Sequence, residues 1–244
     1  MKKMLCVIPS RIGSTRIPRK PLLAIQGKPM VQWVYENAAR CKAITKVVVA
    51  TDSDEIADVI HRVGGHVEMT DPQIQTGSDR AAIVAEKFPE MDIVINLQGD
   101  EPFVKPRMLE QLVAPWLTGE NPEMTTLACP LDMTFHTDPG AVKVITDLAG
   151  DALYFSRAPI PYFRTHESAP VYHHIGLYAF RRDFLLYYKN LAQTPLEKAE
   201  SLEQLRVLEN GHKIRVCLTE GKTLEINTPE EYARAQDFNF ELTE

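Results

Sequence analysis

Short runs rich in β-forming residues alternate with helix-patterned segments through the first hundred residues, and this alternation constrains the fold more than any other feature. Met4–Ile8, Lys46–Thr51, His66–Met69 and Asp92–Leu97 read as strands, the first and second as buried ones. Between them, Val31, Val34, Tyr35, Ala38 and Ala39 repeat at helical spacing after Pro29, and Ile56, Val59, Ile60 and Val63 do so after a cap at Asp52 or Ser53, with Gly64 and Gly65 as the stop. A third helix follows Gln75-Thr76-Gly77-Ser78-Asp79-Arg80, with Ser78 or Asp79 expected as its cap. Strand, helix and strand at this spacing predict a parallel, doubly wound sheet.

In such a sheet the loops after the strands share one edge, where ligands bind. The loop after the first strand holds Gly13, Ser14, Thr15 and the cations Arg11, Arg16, Arg19 and Lys20, with Pro18 and Pro21 at its exit. These residues fit either a polyphosphate site or a solvated basic loop. The concentration of cations in a chain of net charge −6 favours the former. It is not a Walker loop, because Lys20 precedes Pro21 rather than a hydroxyl. Gly77 beside Arg80 at a helix start can read a base or a phosphate as well as being capped. Gln98-Gly99-Asp100-Glu101-Pro102 ends the fourth strand, where Asp100 suits either a turn or a Mg²⁺ ion shared with phosphates.

Beyond a helix over Pro106–Leu117 the pattern changes. Thr125–Pro130, Ala141–Thr146, Ala152–Phe155 and His173–Phe180 read as strands, with a turn at Leu148–Asp151. His173 and His174, adjacent in a strand, face opposite sides and cannot form a metal site together. Leu196, Ala199, Leu202, Leu205 and Leu208 predict one helix over Pro195–Glu209. Lys213–Leu218 is a strand, and Thr228 with Pro229 opens a last helix. The pattern divides the chain into a core of 1–124 with 213–244 and a smaller mixed region of 125–212.

A sequence pI near 5.7 argues against nucleic acid or an anionic membrane as partner. Lys2 and Lys3 precede an apolar run that Pro9 and Arg11 end too early for a secretory leader, and no stretch approaches a membrane span. Cys6, Cys41, Cys129 and Cys217 are widely spaced and read as core residues of a cytoplasmic protein.

Seven motifs occur in order: R-I-G-S-T-R-I-P-R-K-P-L, V-A-T-D, T-G-S-D-R, N-L-Q-G-D-E-P, A-L-Y-F-S-R-A-P-I-P, H-I-G-L-Y and L-E-Q-L-R-V-L. Together they resemble the 3-deoxy-manno-octulosonate (Kdo) cytidylyltransferase family of lipopolysaccharide synthesis, from Leu5 to about Ala233. The resemblance implies a Rossmann-like nucleotidyltransferase α/β fold with a mostly parallel mixed sheet, a smaller insert that supplies a homodimer contact, and condensation of CTP with Kdo. It implies CTP contacts from Pro9, Ser10, Arg11, Lys20, Gln75, Thr76, Gly77 and Arg80, with Arg11, Lys20 and Asp100 central to catalysis. It implies Kdo contacts from Gln98, Arg157, Arg164, His174, Tyr178, Glu203 and Gln204, and Mg²⁺ at Asp100 and position 227.

The family pattern carries aspartate where this chain has Asn227, which retains an oxygen but no charge. Thr223–Ile226 resembles the branch acting on 8-amino-Kdo equally well. A non-catalytic CTP-binding protein is a third alternative, from a different class.

Overall fold

The computed structural model describes residues 2–13, 17–74, 76–165, 169–220, 226 and 228–237. The chain divides into two compact units, Met1–Glu110 with Thr223–Glu244, and Gln111–Lys222.

The first unit is the expected βα alternation. It contains β1 (Met4–Ser10), a small hairpin of β2 (Ala24–Ile25) and β3 (Lys28–Pro29), α1 (Met30–Arg40), β4 (Lys46–Thr51), α2 (Asp54–Arg62), β5 (His66–Met69), α3 (Gly77–Glu86) and β6 (Ile93–Asn96). β1 pairs in parallel with β4 on one side and β6 on the other, and β4 pairs in parallel with β5. Every residue from Met4 to Ile8 is fully buried, because apolar helix faces cover both sides of the strand. The chain winds outward from β1 through β4 to β5, then returns by α3 to β6 on the opposite side of β1. That reversal places a switch-point crevice beyond the carboxyl end of β1.

The second unit is mixed. α4 (Pro106–Leu117) leads into it, followed by β7 (Met124–Pro130), β8 (Lys143–Thr146), β9 (Ala152–Ser156), β10 (Tyr172–Arg181), α5 (Arg182–Tyr188), α6 (Pro195–Glu200), α7 (Leu205–Glu209) and β11 (Ile214–Leu218). β10 runs antiparallel to β7 and β8, β8 runs antiparallel to β9 around Gly150 at φ 85°, and β11 runs parallel to β7. β10 bulges at Gly176, its register advancing from Ile175 to Tyr178 while β7 moves only from Leu127 to Thr126.

The single helix expected over Pro195–Glu209 is two helices. Ser201 adopts φ 53° and ends α6, so the chain turns and Leu202 and Leu205 are both buried. The break also brings Arg206 onto the Glu197 carboxylate, with Nε donating at 2.9 Å inside the fold. At the start of α3 the cap is Thr76, whose hydroxyl accepts from the Asp79 amide at 3.0 Å, rather than Ser78 or Asp79. The helix begins at Gly77, and Ser78 is fully buried, accepting from the Asn96 amide.

The last helix, α8 (Pro229–Gln236), is capped by Thr228 and Glu231 and belongs to the first unit. Its Tyr232 hydroxyl and Gln236 amide donate to the Ala24 carbonyl, while Ile226 and Ala235 pack with Ile17, Ile25, Met30 and Phe103. Thr223–Glu225, whose resemblance bears on the 8-amino-Kdo branch, and Asn227 lie outside the described residues.

Candidate active site

Beyond the carboxyl ends of β1 and β6 lies an open cavity of about 300 Å³, lined entirely by the first unit. Three loops supply it: Pro9, Ser10, Arg11, Gly13, Lys20 and Pro21 after β1, Thr76 and Gly77 with Arg80 at the start of α3, and Gln98, Gly99 and Asp100 after β6. Most residues expected at the nucleotide are therefore together. Gln75, Ser14, Thr15, Arg16 and Asn227 lie outside the described residues.

Among the described cations of the first loop, Lys20 is the most constrained. Arg19 before it adopts φ 53° and turns its own guanidinium outward to an exposed pair with Glu55, away from the role its place in the basic cluster suggested. Lys20 Nζ donates to Asp100 Oδ2 at 2.6 Å and to the Ile226 carbonyl at 2.8 Å. The Asp100 carbonyl in turn accepts from the Ile226 amide at 3.1 Å.

Arg80 is 1% exposed, and its guanidinium donates to the Thr70 hydroxyl and to the Asp71 carbonyl at 3.2 Å, both neutral oxygens. Burial lowers its pKa, with Arg11 adding to the shift and Asp52 and Asp71 opposing it. Asp52 also accepts from the Ile12 amide at 3.1 Å, which anchors the start of the first loop.

Two glycines shape the wall. A Cβ on Gly99 would lie 2.4 Å from Ser10 Oγ and 2.8 Å from the Pro9 carbonyl oxygen, so the absence of a side chain lets β1 and the Asp100 loop touch. The Ser10 hydroxyl is buried with no hydrogen-bond partner among the described residues, and Ser10 lines the cavity. A Cβ on Gly77 would come within 3.0 Å of the Gln98 amide, which is steadied by Asn96 Oδ1 at 3.3 Å. Sequence reasoning singled out neither Gly99 nor Asn96 as a site residue, although both sit inside the N-L-Q-G-D-E-P motif.

Gln98, expected at the sugar, thus lines the same cavity as the phosphate-loop residues. The other residues expected there lie in the second unit. His174 is buried, and its Nε2 lies 2.9 Å from the Thr126 hydroxyl. The same hydroxyl lies 2.9 Å from the Leu177 carbonyl and 3.4 Å from the Ile175 carbonyl, so His174 is tied to the backbone of its own strand through Thr126. Burial, and secondarily His173, lowers the His174 pKa to about 3. Its ring packs edge-on to Phe155 at 4.8 Å and beside Tyr178 at 5.7 Å.

The Tyr178 hydroxyl donates to buried Gln204 Oε1 at 3.0 Å. Gln204 Nε2 is buried with no partner among the described residues. Glu203 accepts the Tyr188 hydroxyl on its carbonyl at 3.1 Å. Arg157 is held by Glu200 and Pro139, and Arg164 is exposed. His174, Tyr178 and Gln204 are thus adjacent. Among the described residues no hydrogen bond or ion pair ties Arg164 to them.

Among the described residues no cluster of three or more His, Cys, Asp or Glu side chains could hold a metal by itself. Asp100 presents a carboxylate to the cavity with its side chain 20% exposed. A hard oxygen donor beside cations that suit phosphates fits a divalent ion shared with a nucleotide. The cysteines are free, and burial raises the thiol pKa of Cys6, Cys41 and Cys217, so none of these is a poised nucleophile.

A cationic, glycine-walled crevice at the reversal of a parallel sheet defines a nucleotide-handling α/β protein. Residues 5–214 match the family model described as cytidylyltransferase. The chain is 57% identical over 236 residues to a 3-deoxy-manno-octulosonate cytidylyltransferase of Acaryochloris marina, covering 96% of each. It is 48% identical to the enzyme of that name from Synechococcus elongatus, covering 96% of this chain and 97% of that one. Among solved structures, CMP:2-keto-3-deoxy-manno-octonic acid synthetase complexed with CTP gives a TM-score of 0.91 at 41% identity, covering 97% of this chain and all of that one. A cytidylyltransferase from Leptospira borgpetersenii, at 18% identity and TM-score 0.65 over 97% of this chain and 86% of that one, shares the fold. The chain belongs to the cytidylyltransferases, and within them to the 3-deoxy-manno-octulosonate cytidylyltransferase family.

Proposed function

We propose that this protein joins the CMP moiety of CTP to Kdo and releases pyrophosphate, activating the sugar for lipopolysaccharide synthesis. The observation that carries this reading is the meeting of Arg11, Lys20, Arg80 and Asp100 at one cavity beyond β1 and β6, in a chain whose solved relative was captured with CTP. The C2 hydroxyl of Kdo attacks the α-phosphorus. The new P–O bond replaces the one to pyrophosphate, which departs with its negative charge, and the hydroxyl proton is released to solvent.

Such chemistry needs positioning and charge stabilisation rather than a covalent nucleophile. Arg11 and Lys20 bind the triphosphate, and the first turn of α3, at Thr76 and Gly77, offers backbone amides beside it. Asp100 would hold Mg²⁺, which when bound neutralises phosphate charge and polarises the α-phosphate. On the sugar side Arg157 pairs with the Kdo carboxylate, while Gln98, His174, Tyr178 and Gln204 recognise hydroxyls.

The test is pyrophosphate release from CTP and Kdo with Mg²⁺, and CMP-Kdo identified by mass. CTP binding without pyrophosphate release would instead identify a non-catalytic nucleotide-binding protein. Faster turnover of 8-amino-Kdo than of Kdo would reassign the substrate. We also propose a cytoplasmic homodimer, as the family resemblance implies. The exposed side chains of Met133, Phe135 and Tyr162, on segments joined by His136 Nε2 and the Ile160 carbonyl, support a self-contact. A monomeric mass by light scattering would refute it. No helix among the described residues is long and apolar enough to cross a membrane.

A further inference from the structure

Lys143 opens β8 and has no exposed surface. An ammonium group is costly to bury, and a methionine would fill similar space without that penalty. Both of its hydrogen bonds among the described residues run to backbone carbonyls, Asp138 at 2.8 Å and Arg157 at 2.6 Å. Burial lowers the Lys143 pKa, while Asp138 and Glu200 favour the charged form.

Arg157 is gripped on its other side as well. The Glu200 carboxylate accepts from the Arg157 amide at 2.9 Å and from the Ser156 hydroxyl at 2.6 Å. The guanidinium donates through Nε to the Glu200 carbonyl at 2.9 Å and through one terminal nitrogen to the Pro139 carbonyl at 3.0 Å. These acceptors are neutral and use only part of the guanidinium's donors. Its remaining N–H groups carry no hydrogen bond among the described residues.

We propose that Lys143 is a positioning residue of the acid-sugar site: by drawing the Asp138 and Arg157 carbonyls onto one ammonium, it sets the Arg157 guanidinium for pairing with the sugar carboxylate. The inference rests on the assignment of Arg157 to that carboxylate. A guanidinium recognises a carboxylate through two parallel hydrogen bonds, so small rotations weaken it steeply. The same clamp joins the chain on either side of β8, at Asp138 and at Arg157, which a lysine can do and a methionine cannot.

The test is a double-mutant cycle on the full-length enzyme with Lys143→Met, Arg157→Met and both, measuring KM for Kdo and for CTP separately. Lys143→Met should raise the Kdo KM about tenfold or more and leave the CTP KM within about twofold. Lys143→Gln, which can still donate to one carbonyl, should recover part of the loss. In the Arg157→Met background Lys143→Met should add less than about twofold.

Equal rises in both KM values, or effects that multiply in the double variant, would overturn the proposal. If Lys143→Met does not fold, the cycle is read on Lys143→Gln with the same criteria. An Arg157→Met enzyme with normal Kdo KM overturns both this inference and the Arg157 assignment. Absence of turnover in the unaltered protein is a different failure, that of the proposed reaction.

Discussion

In the first unit Lys20 sits 2.6 Å from the Asp100 carboxylate, whereas in the second unit Arg157 and Lys143 bond through their side chains only to backbone carbonyls among the described residues. The two arrangements demand different things of an incoming anion. At Lys20 an incoming phosphate competes with the Asp100 carboxylate for one ammonium, and a carboxylate so released would need a new cation. At Arg157, where the nearby Glu200 carboxylate is taken up by the Arg157 amide and the Ser156 hydroxyl, the guanidinium has no side-chain ion pair to break among the described residues. On the proposed assignments, nucleotide and metal should therefore help one another to bind at the first site, while the second should take a sugar carboxylate without exchange.

The largest effects come from cutting the ion pair. Lys20→Ala and Asp100→Ala should each lower kcat/KM at least a hundredfold, equivalent to about 3 kcal/mol of transition-state stabilisation, in a pyrophosphate-release assay. The two variants should nevertheless part company in the absence of CTP. Lys20→Ala removes the competitor for Asp100, so Mn²⁺ titration should show tighter metal binding than in the unaltered protein. Unchanged or weaker binding would break the exchange picture.

Gly99→Ala comes next. Its methyl would overlap Ser10 Oγ at 2.4 Å and the Pro9 carbonyl oxygen at 2.8 Å, and backbone cannot yield as a side-chain tip can. We expect a rise of about tenfold in the CTP KM and a stability loss of about 1–3 kcal/mol by chemical denaturation. A normal Kdo KM in this variant would sharpen the separation between the units.

The second unit also carries its own pH signature. His174 has a folded pKa of about 3 against 6.5 for an unperturbed histidine, so the unfolded chain takes up the proton first. Its contribution to stability is complete above pH 6.5 and is lost as pH falls, by at most about 1.4 kcal/mol per pH unit down to the folded value. Thermal melts between about pH 7 and 4.5 should show this slope, and His174→Gln should flatten it. His173, whose pKa burial also lowers, leaves a remainder.

Arg19→Ala is the smallest. Its pair with Glu55 is more than half exposed on both sides, so stability should change by less than about 0.5 kcal/mol and turnover should not move. A large loss of turnover would return Arg19 to the phosphate site.

Much of the first unit is legible because two periods, of strand and of helix, are written in its apolar residues, and a parallel sheet then brings its strand-end loops to one edge. Lys20, Arg80 and Asp100 could be grouped on that ground alone. The direction of Arg19 could not, since it depends on one left-handed φ. The second unit hides more. Leu196 to Leu208 keep helical spacing across Ser201, and only the three-dimensional needs of Leu202 and the Glu197–Arg206 pair break the run. Lys143 looks like an outward strand residue, because nothing local distinguishes a buried lysine from a solvated one. The Gly176 bulge has the same character: the glycine is visible, the slippage of register between the strands is not.

The bond from Lys20 to the Ile226 carbonyl spans 206 positions of sequence. During synthesis the phosphate loop leaves the ribosome long before its acceptor exists. Until then Lys20 lacks that tether, and the apolar cluster of Ile17, Ile25, Met30 and Phe103 lacks Ile226 and Ala235. A nascent chain can pair its parallel strands early and assemble the three loops that line the cavity, yet the outer support of Lys20 is complete only when translation has reached the last helix.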